Sequence, residues 1–216
     1  MTEVLKSMSN SIPAVLIPAI FATMLIICGS TFADDTAAGA ESFIEGLASE
    51  AVKSVAATDI GPAERRKRFR KIMLKNFAFK RIARWALGRY WRRATSTERN
   101  EYLKLFEDML VMVYADRFAS YSGETLYVQS SEMRGENDIL VHSKIVRSEG
   151  QKSVSIAWRL SKDKLNNGAF KIIDVMVEGM SMGITQQKEF SSVIRKNGNG
   201  VQGLLDELKK RIAANS

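Results

Sequence analysis

The sequence contains very few of the residues that bind metals or transfer protons. Its 216 residues include one histidine, His142, and one cysteine, Cys28. A zinc site needs several histidine, cysteine or carboxylate ligands held together, and the carboxylates of this chain are scattered without a ligand spacing. We therefore expect no metal site and no cofactor. A single cysteine also leaves no partner for a disulfide within the sequence.

One long apolar run is present, and it lies at the N-terminus. It extends over 12–28 and follows a short polar start that carries Lys6. Small residues at Thr31 and Ala33 complete a pattern that is typical of signal peptidase cleavage. The sequence therefore predicts a cleavable signal peptide at 1–33 and export to the periplasm.

Two alternatives for this N-terminal run are less favoured. A membrane anchor is disfavoured because Pro13 and Pro18 interrupt its first half, whereas a membrane span needs a long apolar helix. A lipoprotein signal is disfavoured because Ile27 stands where a small residue is expected before Cys28. Residues 34–216 have an ordinary composition for one globular domain, and without cysteine that domain depends on its apolar core for stability.

The chain is basic, with 32 Lys and Arg against 24 Asp and Glu. The densest basic segment is 65–71, which reads RRKRFRK. Apolar side chains recur at helical spacing at Phe69, Ile72, Met73 and Phe77, so we interpret the basic residues as the solvated face of an amphipathic helix. Contact with a membrane surface or a protein partner is the alternative. Nucleic-acid binding is a weak third hypothesis, and we expect none.

Hydrophobic periodicity divides the chain into a helical half and a strand half. Helices are predicted at 38–57, from Pro62, at Phe79–Leu87 and from the capping box Thr95 to Glu98. Strands are predicted at 124–134, 137–148, 151–162 and 168–178, and helices at Ile184–Lys196 and Val201–Ala213. We predict an α+β fold in which a helical N-terminal half packs on a four-stranded antiparallel sheet, followed by two C-terminal helices.

Residues 179–183 contain G-x-S-x-G after a predicted strand, which is the spacing of a hydrolase nucleophile elbow. Ser181 would need a histidine later in the chain, but His142 comes before it and Lys188 lies on a polar helix face. Asp174 stands among apolar strand residues, where a carboxylate is more often a hydrogen-bonded structural group. We interpret Ser181 as a helix cap and expect that the protein is not an enzyme.

Several segments resemble one known family. They are FKIIDVMVEGMS at 170–181, Glu189–Phe190, Gly198–Leu205, FAFKRIA at 77–83 and ALGRYWRRAT at 86–95. Taken in their order along the chain, these segments resemble the signature of the MlaC, or toluene-tolerance, family of periplasmic phospholipid-binding proteins. The chain departs from that pattern at Gln186 and Gln187, where the family commonly has tyrosine and arginine, and at Phe170, where tryptophan is usual.

The resemblance implies a monomeric periplasmic shuttle. Such a protein carries phospholipid between an outer-membrane lipoprotein complex and an inner-membrane ABC transporter complex, as part of a system that maintains outer-membrane asymmetry. The lipid would be cargo, with its acyl chains in an apolar pocket between a curved sheet and the helices. A related branch, HpnM, accompanies hopanoid synthesis, so a hopanoid-like lipid is an alternative cargo.

Apolar strand faces and the long helix supply candidates for the lining of that pocket. The predicted lipid-binding residues are Leu110, Tyr114, Phe118, Val154, Ile156, Trp158, Val175, Val177 and Met180. The same residues would also make a solid core. The alternative function is therefore an exported adaptor with a solid core, whose basic helix binds a membrane or a protein partner.

Overall fold

The computed structural model describes residues 31–147, 151–163 and 168–214. The predicted signal peptide lies outside these residues, apart from the backbone of 31–33 at the start of the first helix. Among the described residues, no helix combines the length and the apolar character that a membrane span requires.

The described residues form six α-helices, two short 3-10 helices and a single sheet. The helices are α1 Thr31–Val55, α2 Pro62–Asn76, α3 Phe79–Leu87, α4 Ser96–Ala115, α5 Met182–Asn197 and α6 Gly200–Ala214. The 3-10 helices are Gly88–Arg92 and Asp116–Ser120. The strands are β1 Thr125–Met133, β2 Asp138–Val146, β3 Val154–Asp163, β4 Ala169–Val177 and β5 Met180–Ser181.

The predicted α+β fold is confirmed, with five strands in place of four. The strands pair antiparallel in chain order, β1 to β5. The additional strand forms because Glu178 and Gly179 both have positive φ, 49° and 77°. Two such residues make the tight hairpin turn that matches strand twist, so Met180 and Ser181 pair back on β4 before α5 begins. The four strands predicted from the sequence do not include β5.

Local hydrogen bonds explain the predicted start of α4. The Thr95 hydroxyl accepts a hydrogen bond from the Glu98 amide at 3.2 Å, and the Thr95 amide donates to the Glu98 carboxylate at 2.7 Å. This reciprocal arrangement satisfies two amides that the first helical turn leaves unpaired. The capping box predicted from the sequence is confirmed.

The basic segment of α2 ties neighbouring helices together. Arg66 pairs with Asp116 at 2.9 Å, and Arg70 pairs with Glu107 at 2.8 Å, so both side chains bridge α2 to α4 and the residues that follow it. Arg65 is buried, although the sequence placed it on the solvated face. Its guanidinium donates to the Val55 and Ala57 carbonyls at 2.9 and 3.0 Å. It is buried because it satisfies carbonyls that the end of α1 leaves without partners.

The described residues form two apolar cores. The helical core is formed by α3 to α6 with Met73, and Tyr102 lies within it with no exposed surface. The Tyr102 hydroxyl donates to the Ala83 carbonyl at 3.0 Å, and burial raises the pKa of Tyr102 well above its ordinary value. The sheet-facing core lies between α1 and the sheet. Its buried members are Ala40, Ile44, Leu47, Val55, Ile72, Ile139, Val141, Leu160 and Ile172.

The start of α5 is fixed by a polar corner. The Ser181 hydroxyl accepts from the Ile184 amide at 3.1 Å and donates to Asp174 at 2.6 Å. The other Asp174 oxygen accepts from the Val175 and Gly183 amides at 2.9 and 3.1 Å. The interpretation of Ser181 as a helix cap is confirmed, and Asp174 is a hydrogen-bonded buried group.

Gly183→Ala should destabilise the protein, because a Cβ at this position would lie 2.1 Å from Trp85 Cζ3. Forcing a methyl group into a packed contact costs about 1–3 kcal/mol. The control is Gly46→Ala in α1, where a Cβ would meet nothing within 4 Å. This change should stabilise the helix by roughly 0.5–1 kcal/mol. Urea denaturation measures both effects, and equal changes in the two variants would contradict the packing at Trp85.

Ser181→Ala should lower the free energy of unfolding by about 1–2 kcal/mol, since it removes the cap of α5 and a hydrogen bond to Asp174. Ser192→Ala, within the same helix, serves as the control and should change stability by less than about 0.5 kcal/mol. Thermal and urea denaturation measure these differences. A Ser181→Ala variant that kept full stability but lost an esterase activity would instead support a nucleophilic serine.

Candidate functional site

Cross-strand pairing defines one face of the sheet as the inner face, which is the face covered by α1. Because side chains alternate along a strand and paired residues share a face, the pairs form rows across the sheet. One row joins Val141, Trp158 and Val175, and the next joins Ile139, Leu160 and Ile172. Four of these six residues are buried in the sheet-facing core, while Trp158 and Val175 are half-buried against it. These two rows form the floor of the candidate site.

The inner face continues past these rows as an apolar shelf that is only partly covered. One row runs through Ser143, Ile156, Val177 and Met180, and the neighbouring row pairs Ile145 with Val154. We call Ile145, Val154, Ile156, Val177 and Met180 the shelf. The first four are half-buried, and Met180, at the sheet edge, is 61% exposed. The shelf therefore connects the buried floor to solvent through apolar side chains alone.

Six half-buried aromatic side chains pack against the sheet-facing core. They are Phe43, Phe69, Phe77, Phe118, Trp158 and Phe170. The Phe43 and Phe170 rings are 5.9 Å apart between centroids, and the Phe69 and Phe118 rings are 6.0 Å apart. Phe69 and Phe77 also border the helical core, together with Trp91, but the central rings of that core, Tyr102, Phe106 and Phe190, are at most 2% exposed. The buried members of the sheet-facing core are all aliphatic, so its aromatic rings lie only at its half-buried edge.

A few polar contacts fix the geometry of this site. Ser143 is buried, its hydroxyl accepts from the Trp158 indole at 2.9 Å, and it donates to the Ile156 carbonyl at 3.2 Å. These bonds hold the indole against the sheet and leave the buried hydroxyl satisfied. At the margin, Ser131 donates to Glu41 of α1 at 2.7 Å. Lys162 donates to Thr36 at 2.9 Å, which is a second link between α1 and the sheet.

The structure brings most of the predicted lipid-binding residues to one face. Phe118, Trp158 and Val175 pack against the sheet-facing core. Val154, Ile156, Val177 and Met180 lie on the shelf. Leu110 packs against the helical core instead, and the Tyr114 ring lies under the Arg117 guanidinium at 5.3 Å.

Sequence reasoning missed the contribution of the first two helices. Phe43 of α1, Phe69 of α2 and Phe77 after α2 all flank the sheet-facing core. Helical spacing had placed Phe69 and Phe77 on an apolar face, but it could not say which core that face meets. Ile72 and Met73 show why, because these adjacent residues of α2 belong to different cores.

The catalytic arrangement that G-x-S-x-G would need is not formed. Ser181 pairs with Met176, Met176 with Ala157, and Ala157 with His142. His142 is therefore three strands away from Ser181, or about 14 Å at the usual strand spacing. Its Nε2 lies 3.2 Å from Glu132. Within the described part of the chain, no group of histidine, cysteine or acidic side chains could hold a metal ion.

The chemistry of the candidate site is apolar. Its floor and shelf present aliphatic and aromatic surface, and its few polar groups bond to one another. Such a surface binds hydrocarbon through the hydrophobic effect and dispersion, with little directional demand on the ligand. The site is suited to flexible apolar chains rather than to a polar substrate that must be held in one orientation.

Comparisons with known proteins agree with this fold. The Haemophilus influenzae "Intermembrane phospholipid transport system binding protein MlaC" is 22% identical over 113 residues, which cover 52% of this chain and 52% of that protein. The chain thus matches about half the length of this curated relative. A phospholipid-binding protein from Ralstonia solanacearum, solved in complex with a phospholipid, has the same fold with a TM-score of 0.71 at 21% identity. That match covers 81% of this chain and 97% of the other.

The family itself is established by a match over most of the chain. The profile of the family described as "MlaC protein" matches residues 46–210, from the middle of α1 to α6. This range includes β1 to β5, the whole of α5 and α6 as far as residue 210. The chain therefore belongs to the MlaC family.

Proposed function

We propose that the protein is a periplasmic carrier that binds the acyl chains of phospholipid on the inner face of its sheet. The observation that carries this proposal is the half-buried apolar surface of the sheet-facing core. Its aromatic rings among the described residues are half-buried and it opens along an apolar shelf, whereas the helical core has a buried centre of stacked rings. Membership of the MlaC family, a relative named for intermembrane phospholipid transport, and a phospholipid complex of the same fold support it.

The energetics of acyl chains require such a covered surface. Each methylene buried from water contributes about 0.8 kcal/mol, so a dozen methylenes contribute roughly 10 kcal/mol. A free phospholipid therefore does not cross an aqueous space at a useful rate. Moving the chains from a bilayer to another apolar surface is nearly neutral by comparison. Carriage of this kind is reversible and needs no chemical step, which is why we propose a transport protein and not an enzyme.

The geometry suggests how the chains are accommodated. The shelf gives them an apolar path from the sheet edge at Met180 to the floor at Trp158. Phe43 and Phe170 are half-buried. Their side chains can therefore change rotamer without opening a cavity in a closed core. The polar links from α1 to the sheet, at Glu41 and Thr36, hold the helix over the site while the space beneath it fills.

The partners follow from the proposed role. A carrier between two membranes receives lipid from one complex and delivers it to another. We propose an outer-membrane lipoprotein complex and an inner-membrane ABC transporter complex, with the signal peptide at 1–33 directing export. A hopanoid-like lipid is the alternative cargo, because an apolar surface binds hydrocarbon and does not distinguish one headgroup from another.

The mature protein should carry lipid when it is purified from its own periplasm. Native mass spectrometry should show phospholipid at up to one molecule per chain, and extraction should identify its class. Ile156→Glu should lower the bound fraction by at least about tenfold, because an ionised carboxylate on the shelf must be desolvated when acyl chains cover it.

The matched control for this experiment is Ala157→Glu, which places the same side chain one residue along β3 and on the opposite face. This variant should retain its lipid. Equal loss in both variants would point to general damage of the fold. A wild-type protein that remains lipid-free after incubation with vesicles would overturn the carrier proposal in favour of the adaptor with a solid core.

Trp158 should report directly on the position of the acyl chains. The chain has three tryptophans, so a variant with Trp85→Phe and Trp91→Phe leaves Trp158 as the only one. Loading with phospholipid that carries brominated acyl chains should quench most of its fluorescence. A variant with Trp85→Phe and Trp158→Phe keeps Trp91, which packs against the helical core and should be quenched little. The reverse pattern would place the lipid in the helical core.

A further inference from the structure

A hollow on the opposite side of the sheet carries a second set of groups suited to a ligand. It lies beside α3 and has a volume of about 660 Å³, which is large enough for a lipid headgroup. Five arginines line it, Arg81, Arg84, Arg89, Arg92 and Arg159. We call it the arginine hollow.

The sheet separates the arginine hollow from the proposed acyl-chain site. Arg159 pairs with Asp174 across β3 and β4, and neither belongs to the inner-face rows. The other four arginines come from α3 and the 3-10 helix that follows it. Trp85 and Gln187 complete the wall, with the Gln187 amide donating to the Trp85 carbonyl at 2.8 Å. The hollow is therefore built by different elements from those that form the floor and the shelf.

The positive charge of this hollow is largely uncompensated. Arg159 is paired with Asp138 at 2.6 Å. Arg81, Arg84 and Arg92 are exposed, and no carboxylate among the described residues lies within ion-pair distance of them. The basic segment of α2 is different, because Arg66, Arg68 and Arg70 are all paired with acidic side chains.

Asp174 contributes one negative charge to the hollow and so offsets only part of the charge of the five arginines. Asp174 is 8% exposed, and its two oxygens already accept hydrogen bonds from Ser181, Val175 and Gly183. Arg89 donates to the Tyr90 hydroxyl at 3.1 Å and lowers the pKa of Tyr90. Trp85 and Trp91 are half-buried beside the arginines. Tryptophan with cationic side chains is typical of surfaces that meet lipid headgroups.

We propose that the arginine hollow binds the phosphate of anionic phospholipid headgroups at a bilayer surface and so docks the protein on the membrane. Guanidinium groups match phosphate oxygens in charge and in hydrogen-bond geometry. The net charge of +8 on the chain favours the same encounter. The purpose of this docking rests on the proposed carriage, since a carrier must meet membranes, but the binding chemistry does not depend on cargo.

The test compares two triple variants that remove the same charge. Arg81→Gln, Arg84→Gln and Arg92→Gln alter the hollow, whereas Lys53→Gln, Lys71→Gln and Lys210→Gln alter exposed lysines on α1, α2 and α6. Binding is measured by flotation with vesicles of phosphatidylcholine alone and with phosphatidylglycerol added. Urea denaturation confirms that both variants remain folded.

The wild-type protein should bind the vesicles that contain phosphatidylglycerol and leave those of phosphatidylcholine unbound. A cation near an anionic membrane contributes roughly fivefold to partitioning, so the arginine variant should bind about 100-fold more weakly. The lysine variant should lose less than about fivefold, because its three charges lie on elements that do not line the hollow.

Three outcomes would overturn the docking site. They are absence of wild-type binding to anionic vesicles, equal losses in the two triple variants, and full displacement by millimolar inorganic phosphate, which would indicate a soluble anion as ligand. Native mass spectrometry of the same proteins separates this inference from the carrier proposal. The arginine variant should keep its lipid, whereas a wild-type protein that binds anionic vesicles through these arginines but never contains lipid would leave docking intact and refute carriage.

Discussion

The alternation of side chains along the strands is the constraint on which the rest of the structure depends. Because neighbouring residues point to opposite faces, β3 can supply Ile156 and Trp158 to an apolar surface and Arg159 to a charged one. One sheet thus separates the proposed acyl-chain site from the arginine hollow. A shift of one residue in the pairing of β3 would exchange these faces and remove both sites, so the functional surfaces and the register are specified together.

The two cores have different roles: the helical core stabilises the fold, and the sheet-facing core forms the candidate site. The only cysteine, Cys28, precedes the described residues, so no disulfide supports the part of the chain that forms the cores. The helical core compensates with close aromatic packing, in which the Tyr102 and Phe106 rings are stacked 5.6 Å apart and Phe190 meets both edge-on. Since this close ring packing lies outside the sheet-facing core, the latter can stay partly open. An open core would be a defect in a single-core domain of this size.

Local signals made much of the fold predictable from the sequence. The Thr95 capping box, the four long strands and the Ser181 cap depend on neighbours in the chain, and each was confirmed. The burial of Arg65 and the role of Phe43 depend instead on contacts with other elements, and β5 depends on a positive φ at Glu178, which is uncommon for a residue other than glycine. The candidate site was predicted better for strands than for helices for the same reason. A strand residue faces one of two sides, whereas α2 contacts both cores from adjacent positions.

The motif G-x-S-x-G illustrates how structure alone can produce a catalytic pattern. Gly179 has φ of 77° in the hairpin turn, Ser181 caps α5, and Gly183 leaves room for the Trp85 ring. Each position is therefore occupied for a separate physical reason, and their spacing follows from the short path between β4 and α5. A nucleophile elbow needs one further condition, a base beside the hydroxyl. The Ser181 hydroxyl donates to Asp174, but the only histidine of the sequence lies three strands away. The motif therefore has a structural role at the corner between β4 and α5.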